Sequence, residues 1–258
     1  WLSRNPTIGA ITVLEANQGH EQIDWCWLSR NPSAIELLEA NPEKIVWSYL
    51  SRNPSAIKLL EANQDKIHWH MLSVNPSAIK LLEANQEKIN WRMLSLNRAP
   101  GAIKLLEANQ GKIDWYYLSA NPSPGAIKLL EANQEKIDWQ SLSRNPTIGA
   151  ITLLEANQEL IDWDELTFNT APNVIKLLEA NQDKIHWEGL SFNTSTNAIK
   201  LLEANQKKIV WTYLSGNPSI FEYDYKAMKN RMYNSGLFED LMKNRFHPRN
   251  VLKFEEWG

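Results

Sequence analysis

One cysteine, Cys26, stands among the 258 residues. That excludes an internal disulfide framework and fits a reducing compartment. No apolar run approaches the roughly 20 residues that a membrane-spanning helix needs, and no signal peptide is visible. Neither sign of charge dominates: 27 basic residues oppose 30 acidic ones, which gives no argument for binding nucleic acid by bulk electrostatics. The five histidines are scattered. His68 and His70 lie two apart, but no Cys or carboxylate cluster of ligand spacing joins them, so no metal is expected. There is no Gly-rich phosphate loop, and nothing near Cys26 marks it as a nucleophile. The expectation is a protein without catalytic activity or cofactor.

What is present is one phrase, repeated: Trp-x-x-Leu-Ser-x-Asn-Pro, then Ala-Ile-Lys-Leu-Leu-Glu-Ala-Asn-Gln, then Glu-Lys-Ile-Asp, then Trp again. The Leu of Leu-Ser recurs at Leu2, Leu28, Leu50, Leu72, Leu94, Leu118, Leu142, Leu166, Leu190 and Leu214, in steps of 26, 22, 22, 22 and then 24 residues. Such a period is the signature of a stacked array whose units cannot bury their apolar faces alone. The chain starts inside a unit, without an initiator Met and with Trp1 aligned to Trp27, and so reads as a fragment.

Within a unit, Asn53-Pro54 signals a helix start, because Asn can accept from a free N–H and Pro lacks the donor. Ala56, Ile57, Leu59 and Leu60 then form an apolar stripe, and Asn63 suits a left-handed helix end. A second cap is expected before the Trp, at Asp24, Asn90, Asp114, Asp138 and Asp162, although Val46, His68, His186 and Val210 break that rule. Trp47 and Leu50 should face one core. The reading is an all-α α-solenoid of about ten two-helix repeats of 22–24 residues over 1–217. Its helices should run to about 7–10 residues, too short to be stable alone. The competing fold is a leucine-rich-repeat-like solenoid, in which Trp-x-x-Leu-Ser would be a strand. Units of 24 residues carry two more between Asn and Ala-Ile, as in Asn97-Arg-Ala-Pro-Gly-Ala-Ile103, which marks a surface turn. The two asparagine ladders read as capping and inter-repeat hydrogen bonding.

Differences between units concentrate around Leu-Ser. The residue before Leu runs Trp1, Trp27, Tyr49, Met71, Met93, Tyr117, Ser141, Glu165, Gly189, Tyr213. The residue after Ser runs Arg4, Arg30, Arg52, Val74, Leu96, Ala120, Arg144, Phe168, Phe192, Gly216. The residue after the Trp runs Cys26, Ser48, His70, Arg92, Tyr116, Gln140, Asp164, Glu188, Thr212. A variable row in a constant frame is available for recognition, and Trp, Tyr and Arg dominate binding hot spots. The candidate partner-binding residues are therefore Trp1, Arg4, Trp27, Arg30, Tyr49, Arg52, Met71, Met93, Tyr116, Tyr117, Phe168 and Phe192. The bulky row can equally serve to pack unit against unit, and the arginines can simply form a solvated face. Both alternatives stay open at this level.

After Asn217-Pro218 the phrase breaks. Residues 218–258 read as a helical C-terminal cap, with stripes at Tyr225, Met228 and Met232, at Phe238, Leu241 and Met242, and at Val251, Leu252 and Phe254. The repeat Trp-x-x-Leu-Ser-x-Asn-Pro-x-Ala-Ile-x-Leu-Leu-Glu-x-Asn, with a tail of the type Leu241-Met-Lys-Asn-Arg-Phe-His-Pro-Arg-Asn250, resembles short-helix repeat proteins encoded by giant nucleocytoplasmic DNA viruses. The resemblance covers nearly the whole chain. It implies a viral origin and a setting in the host cytoplasm or virion, and it brings no catalytic residues. Three functions follow as expectations: a scaffold that binds a protein partner through the variable row, a structural virion component, or a single-stranded nucleic-acid binder, which would call for a more basic groove.

Overall fold

Why each unit turns where it does is visible in residues 47–66. Trp47–Leu50 is a four-residue α-helix, Ile57–Glu61 a second of five, and Gln64–Lys66 a 3-10 turn that returns the chain to the next Trp. The structure, a computed structural model, describes residues 2–17, 23–220, 225–236 and 239. Over these residues the same triplet recurs, giving nineteen α-helices and ten 3-10 turns with no strand. The protein is an all-α repeat solenoid, and the leucine-rich-repeat alternative falls with the absence of any strand among the described residues. In the tail, Tyr225–Asn234 is helical. The stripes at Phe238, Leu241, Met242 and beyond, like Trp1, lie outside the described residues.

The cap before the Trp forms where its chemistry allows. Asp24, Asn90, Asp114, Asp138 and Asp162 each accept from the backbone N–H three residues on, the N-cap bond that satisfies an otherwise orphan donor. Val46, His68, His186 and Val210 make no such bond.

Three local expectations are corrected. Asn63 is not left-handed: its φ is −134°, and no described residue other than Gly236 has a positive φ. Its Nδ2 instead donates to the Leu59 carbonyl four residues back, 2.9 Å away, satisfying an orphan acceptor at the helix end. Nor is Asn53 the cap of the following helix, which starts four residues later behind Ala56. Its Oδ1 accepts from Ser55 N–H at 3.0 Å, an Asx-turn that mimics a backbone turn. Finally, in most of the longer units the two extra residues make no surface turn but extend the second helix at its start, so that Pro100–Ala108 has nine residues where Ile57–Glu61 has five. In the unit of Asn169, Pro172 and Asn173 do form a turn ahead of Val174–Ala180. The α-helices of the array therefore span four to nine residues, shorter than the spacing suggested.

In three of the longer units the extension runs close to the preceding unit at a glycine. A β-carbon on Gly101 would sit 2.5 Å from Ile79 Cγ2, on Gly125 3.1 Å from Ile103 Cγ2, and on Gly149 2.7 Å from Ile127 Cγ2. In these three units the close approach relies on the missing side chain, whereas Thr196–Ala204 is as long with Asn197 at that position.

The core is a continuous column. The Leu of Leu-Ser, the second Leu of Leu-Leu, the Ala before Ile and the Ile before the cap are buried from unit to unit, as in Leu94, Leu106, Ala102 and Ile113. The repeat Trp residues only border this column and are half-buried from Trp25 to Trp187. Five of them carry a lysine from the adjoining 3-10 turn on the ring: Lys66 on Trp47, Lys88 on Trp69, Lys112 on Trp91, Lys136 on Trp115 and Lys184 on Trp163, at 4.6–5.1 Å. Such stacking adds a cation–π attraction while the lysine stem shields apolar surface.

Buried polar groups lock the joints. Asn53 Nδ2 donates to the carbonyls of Ser29 and Asn31 in the preceding unit, at 3.0 and 2.9 Å. Asn121 does the same to Ser95 and Asn97, at 2.9 and 3.1 Å. The pattern runs unbroken from Asn31 to Asn217. The Ser of Leu-Ser is the second lock. Ser51 Oγ donates to the Trp47 carbonyl at 2.7 Å and accepts from His68 N–H of the next unit at 3.0 Å.

Gly101→Ala should lower stability by about 1–3 kcal/mol, the usual overpacking cost, and the loss should shrink when Ile79→Ala is combined with it. Denaturant melts of the four members of that cycle check this; additive losses would show that the Gly101–Ile79 approach is not the cause.

Candidate interaction face

The short first helix places its residues by rotation alone. From Leu28 to Ser191, Leu and Ser of Leu-Ser point inward and are buried, and most of the residues flanking them, with the residue after the Trp, are half-buried or exposed; Ser141 and Gly189 are buried. Stacking then brings them into one row. At several joints the residue after Ser in one unit, or the residue after its Trp, reaches the residue before Leu in the next unit.

The first part of the row is cationic and aromatic. The Arg4 guanidinium lies 3.6 Å from the centre of the Trp27 ring, and Arg30 approaches the same ring at 5.8 Å. Trp27 meets Tyr49 edge-on at 6.4 Å. Arg4, Arg30 and Arg52 are exposed, Trp27 is half-buried, and Tyr49 is exposed. In the middle, Met71, Val74, Met93 and Leu96 are half-buried. Arg92 then covers the Tyr117 ring at 4.6 Å, bonds its hydroxyl and approaches Asp114 at 4.0 Å. Tyr116, 52% exposed, meets Tyr117 edge-on at 5.1 Å.

Further along, charge is paired within the row. Arg144 bonds Glu165, which also accepts from Gln140 at 3.5 Å. Phe168 covers Gly189, where a β-carbon would lie 3.0 Å from the ring, and meets His186 at 6.3 Å. Phe192 packs on Tyr213 with centroids 4.3 Å apart. Both phenylalanines remain substantially exposed, at 44% and 51%. Glu188 lies 3.8 Å from His186 Nε2 and accepts the hydroxyl of Tyr213, a bond that raises the phenol pKa, with the carboxylate's charge adding to it.

Nine of the twelve candidate residues thus fall into three groups: Arg4, Trp27, Arg30, Tyr49 and Arg52; Tyr116 and Tyr117; Phe168 and Phe192. Met71 and Met93 lie half-buried between the first two groups, and Trp1 is outside the described residues. Packing between units and exposure to solvent coexist in each group. Arg92, Glu165, Glu188 and Tyr213, which the sequence places in the variable row but not among the candidate binding residues, also make contacts there. The signal that finds them is pairing one unit apart, as in Arg144 against Glu165. Elsewhere the chemistry is sparse. Cys26 is half-buried, and no three His, Cys, Asp or Glu side chains gather into a metal cage among the described residues. Over the same residues, no helix is long and apolar enough to cross a membrane. No known family, curated protein or solved structure matches the chain.

The Tyr213 phenol should titrate above the ordinary value of 10.0. Because the neutral, donating form is the one favoured, the contact is fully present below the ordinary range and is lost as pH rises through the elevated value. Difference absorbance titration against Tyr213→Phe should isolate one late tyrosine, and Glu188→Gln should return it to the ordinary range. A titration unchanged by Glu188→Gln would remove the carboxylate as the cause.

Proposed function

We propose that this chain is a non-enzymatic scaffold of viral origin that binds a protein partner along the variable row. One observation carries the reading. Among the described residues, those that differ most between units follow one another along one side of the stack, exposed or half-buried except for Ser141 and Gly189, while the repeated Leu, Ala, Ser and Asn are taken up by the core and the joints. Tyr49, Tyr116, Phe168 and Phe192 leave large aromatic surfaces in solvent on that side, of the kind that anchors protein interfaces. Short helices fixed by backbone-directed hydrogen bonds supply a rigid base, so little ordering cost accompanies binding. The viral setting rests on the resemblance of repeat and tail.

Two variants of the purified chain test the row from its two ends: Trp27→Ala/Tyr49→Ala/Arg52→Ala, and Phe168→Ala/Phe192→Ala. Used as bait in extract of infected cells, with melting curves showing both still folded, at least one should lose most of what the wild type captures. Full capture by both would refute recognition through the row. Recovery of the chain chiefly as a stoichiometric part of purified particles would favour the structural role instead.

A further inference from the structure

The charged side chains of the row are unequally satisfied. Arg144 has Glu165, and Arg92 has Asp114 and Tyr117. Glu188 has His186 and Tyr213. At the other end, no carboxylate of the described residues lies within ion-pair distance of Arg4, Arg30 or Arg52; the neighbours of Arg4 and Arg30 are the faces of Trp27. Ring stacking holds a guanidinium flat and leaves its in-plane N–H donors free, the geometry that takes a carboxylate in two parallel bonds. Beside Arg4 and Trp27 a cleft of about 210 Å³ opens against Ser3 and Asp24.

We infer that units one to three, through Arg4, Arg30 and Arg52 with Trp27 and Tyr49 between them, bind an extended acidic segment of a partner protein. This rests on the row being the recognition face. Stacked helices stand about 8–10 Å apart, and an extended chain advances about 3.3 Å per residue. A segment crossing the units therefore presents one side chain to each about every three residues. Carboxylates at that spacing reach successive guanidiniums, and apolar residues between them lie on Trp27 and Tyr49. A protein segment fits better than nucleic acid, because three unpaired guanidiniums are set on a chain of net charge −3 whose flanking helices carry exposed glutamates such as Glu39 and Glu61. Counterion release from a nucleic-acid backbone calls for more cationic contacts than these.

The test is fluorescence anisotropy with three labelled probes: a synthetic 15-residue peptide with Glu at every third position, the same peptide with Lys in place of Glu, and a single-stranded oligodeoxythymidylate. The acidic peptide should bind in a salt-sensitive manner. Arg30→Ala/Arg52→Ala should weaken it by about tenfold, Arg30→Lys/Arg52→Lys should retain part of the binding, and Phe168→Ala/Phe192→Ala should leave it unchanged. Because the arginines are exposed, their loss leaves the melting curve in place. Equal binding of the basic peptide, preference for the oligonucleotide, or indifference to the arginine variants overturns the inference. If cell-extract capture depends on Phe168 and Phe192 while the arginine variants bind normally, the row stands as the recognition face and its acidic-segment assignment falls.

Discussion

A single buried amide per joint holds this array in register. The asparagine after Leu-Ser-x turns its Nδ2 toward two carbonyls of the preceding unit, while its Oδ1 closes the turn of its own. For Asn97 the three contacts are Ser73, Asn75 and the N–H of Ala99, at 3.0, 3.1 and 3.0 Å. Helices of four to nine residues end often, and each end leaves carbonyls without intrahelical partners. A buried carbonyl left unpaired costs about 1–3 kcal/mol. Repeated at every turn of a chain this segmented, such losses would exceed the marginal stability of an ordinary domain. The asparagine removes them, and it does so with contacts that have direction. Apolar stacking alone would let one unit slide on the next; the amide permits one register.

The remaining constant residues follow from that constraint. Ser of Leu-Ser is small enough to be fully buried from Ser29 to Ser191 and carries a polar bond at each joint. Ser51, Ser73, Ser95, Ser143 and Ser191 both donate and accept, Ser29 and Ser119 accept, and Thr167, its one substitute, donates to the Trp163 carbonyl at 2.7 Å. Ala before Ile is fully buried because the turn made by the asparagine passes close to it. With polar pairing and burial both settled by backbone-directed contacts, the flanking positions have no structural duty beyond reaching the next unit. They can be Arg, Met, Phe or Glu without altering the joint, so chemistry can vary along the row while geometry does not.

Much of this architecture was legible before the structure. Period, helical class, the cap at Asp24, Asn90, Asp114, Asp138 and Asp162, and the row itself all come from comparing units. What was misread has a common cause: each error assigned a residue its commonest local role. Asn63 reads as a left-handed helix end and Asn53 as a helix cap, yet both use the side-chain amide on carbonyls that only tertiary stacking or helix geometry places nearby. Pro and Gly in Asn97–Ile103 read as a turn, yet Pro100 opens a helix and Gly101 makes room for Ile79, a neighbour absent from the local sequence. Trp47 and Leu50 do face one core as expected, but Leu94, Leu118 and their counterparts fill it while the Trp rings pack against its edge, five of them beneath lysines. On the row, Arg92 and Glu165 stood in the variable positions, but their pairing with Tyr117 and Arg144 lies in a contact one unit away.

The most direct measurement of the central claim is the equilibrium unfolding of Asn121→Asp. The substitution preserves size and keeps the oxygen that accepts from Ser123 N–H, but it replaces the donor that faces Ser95 and Asn97 with a second acceptor. If the amide ladder sets register, the variant loses about 3 kcal/mol or more, or its unfolding splits into two transitions as the array parts at that joint. An unfolding curve superimposable on that of the parent chain would contradict the account and leave apolar stacking as the force that orders the units.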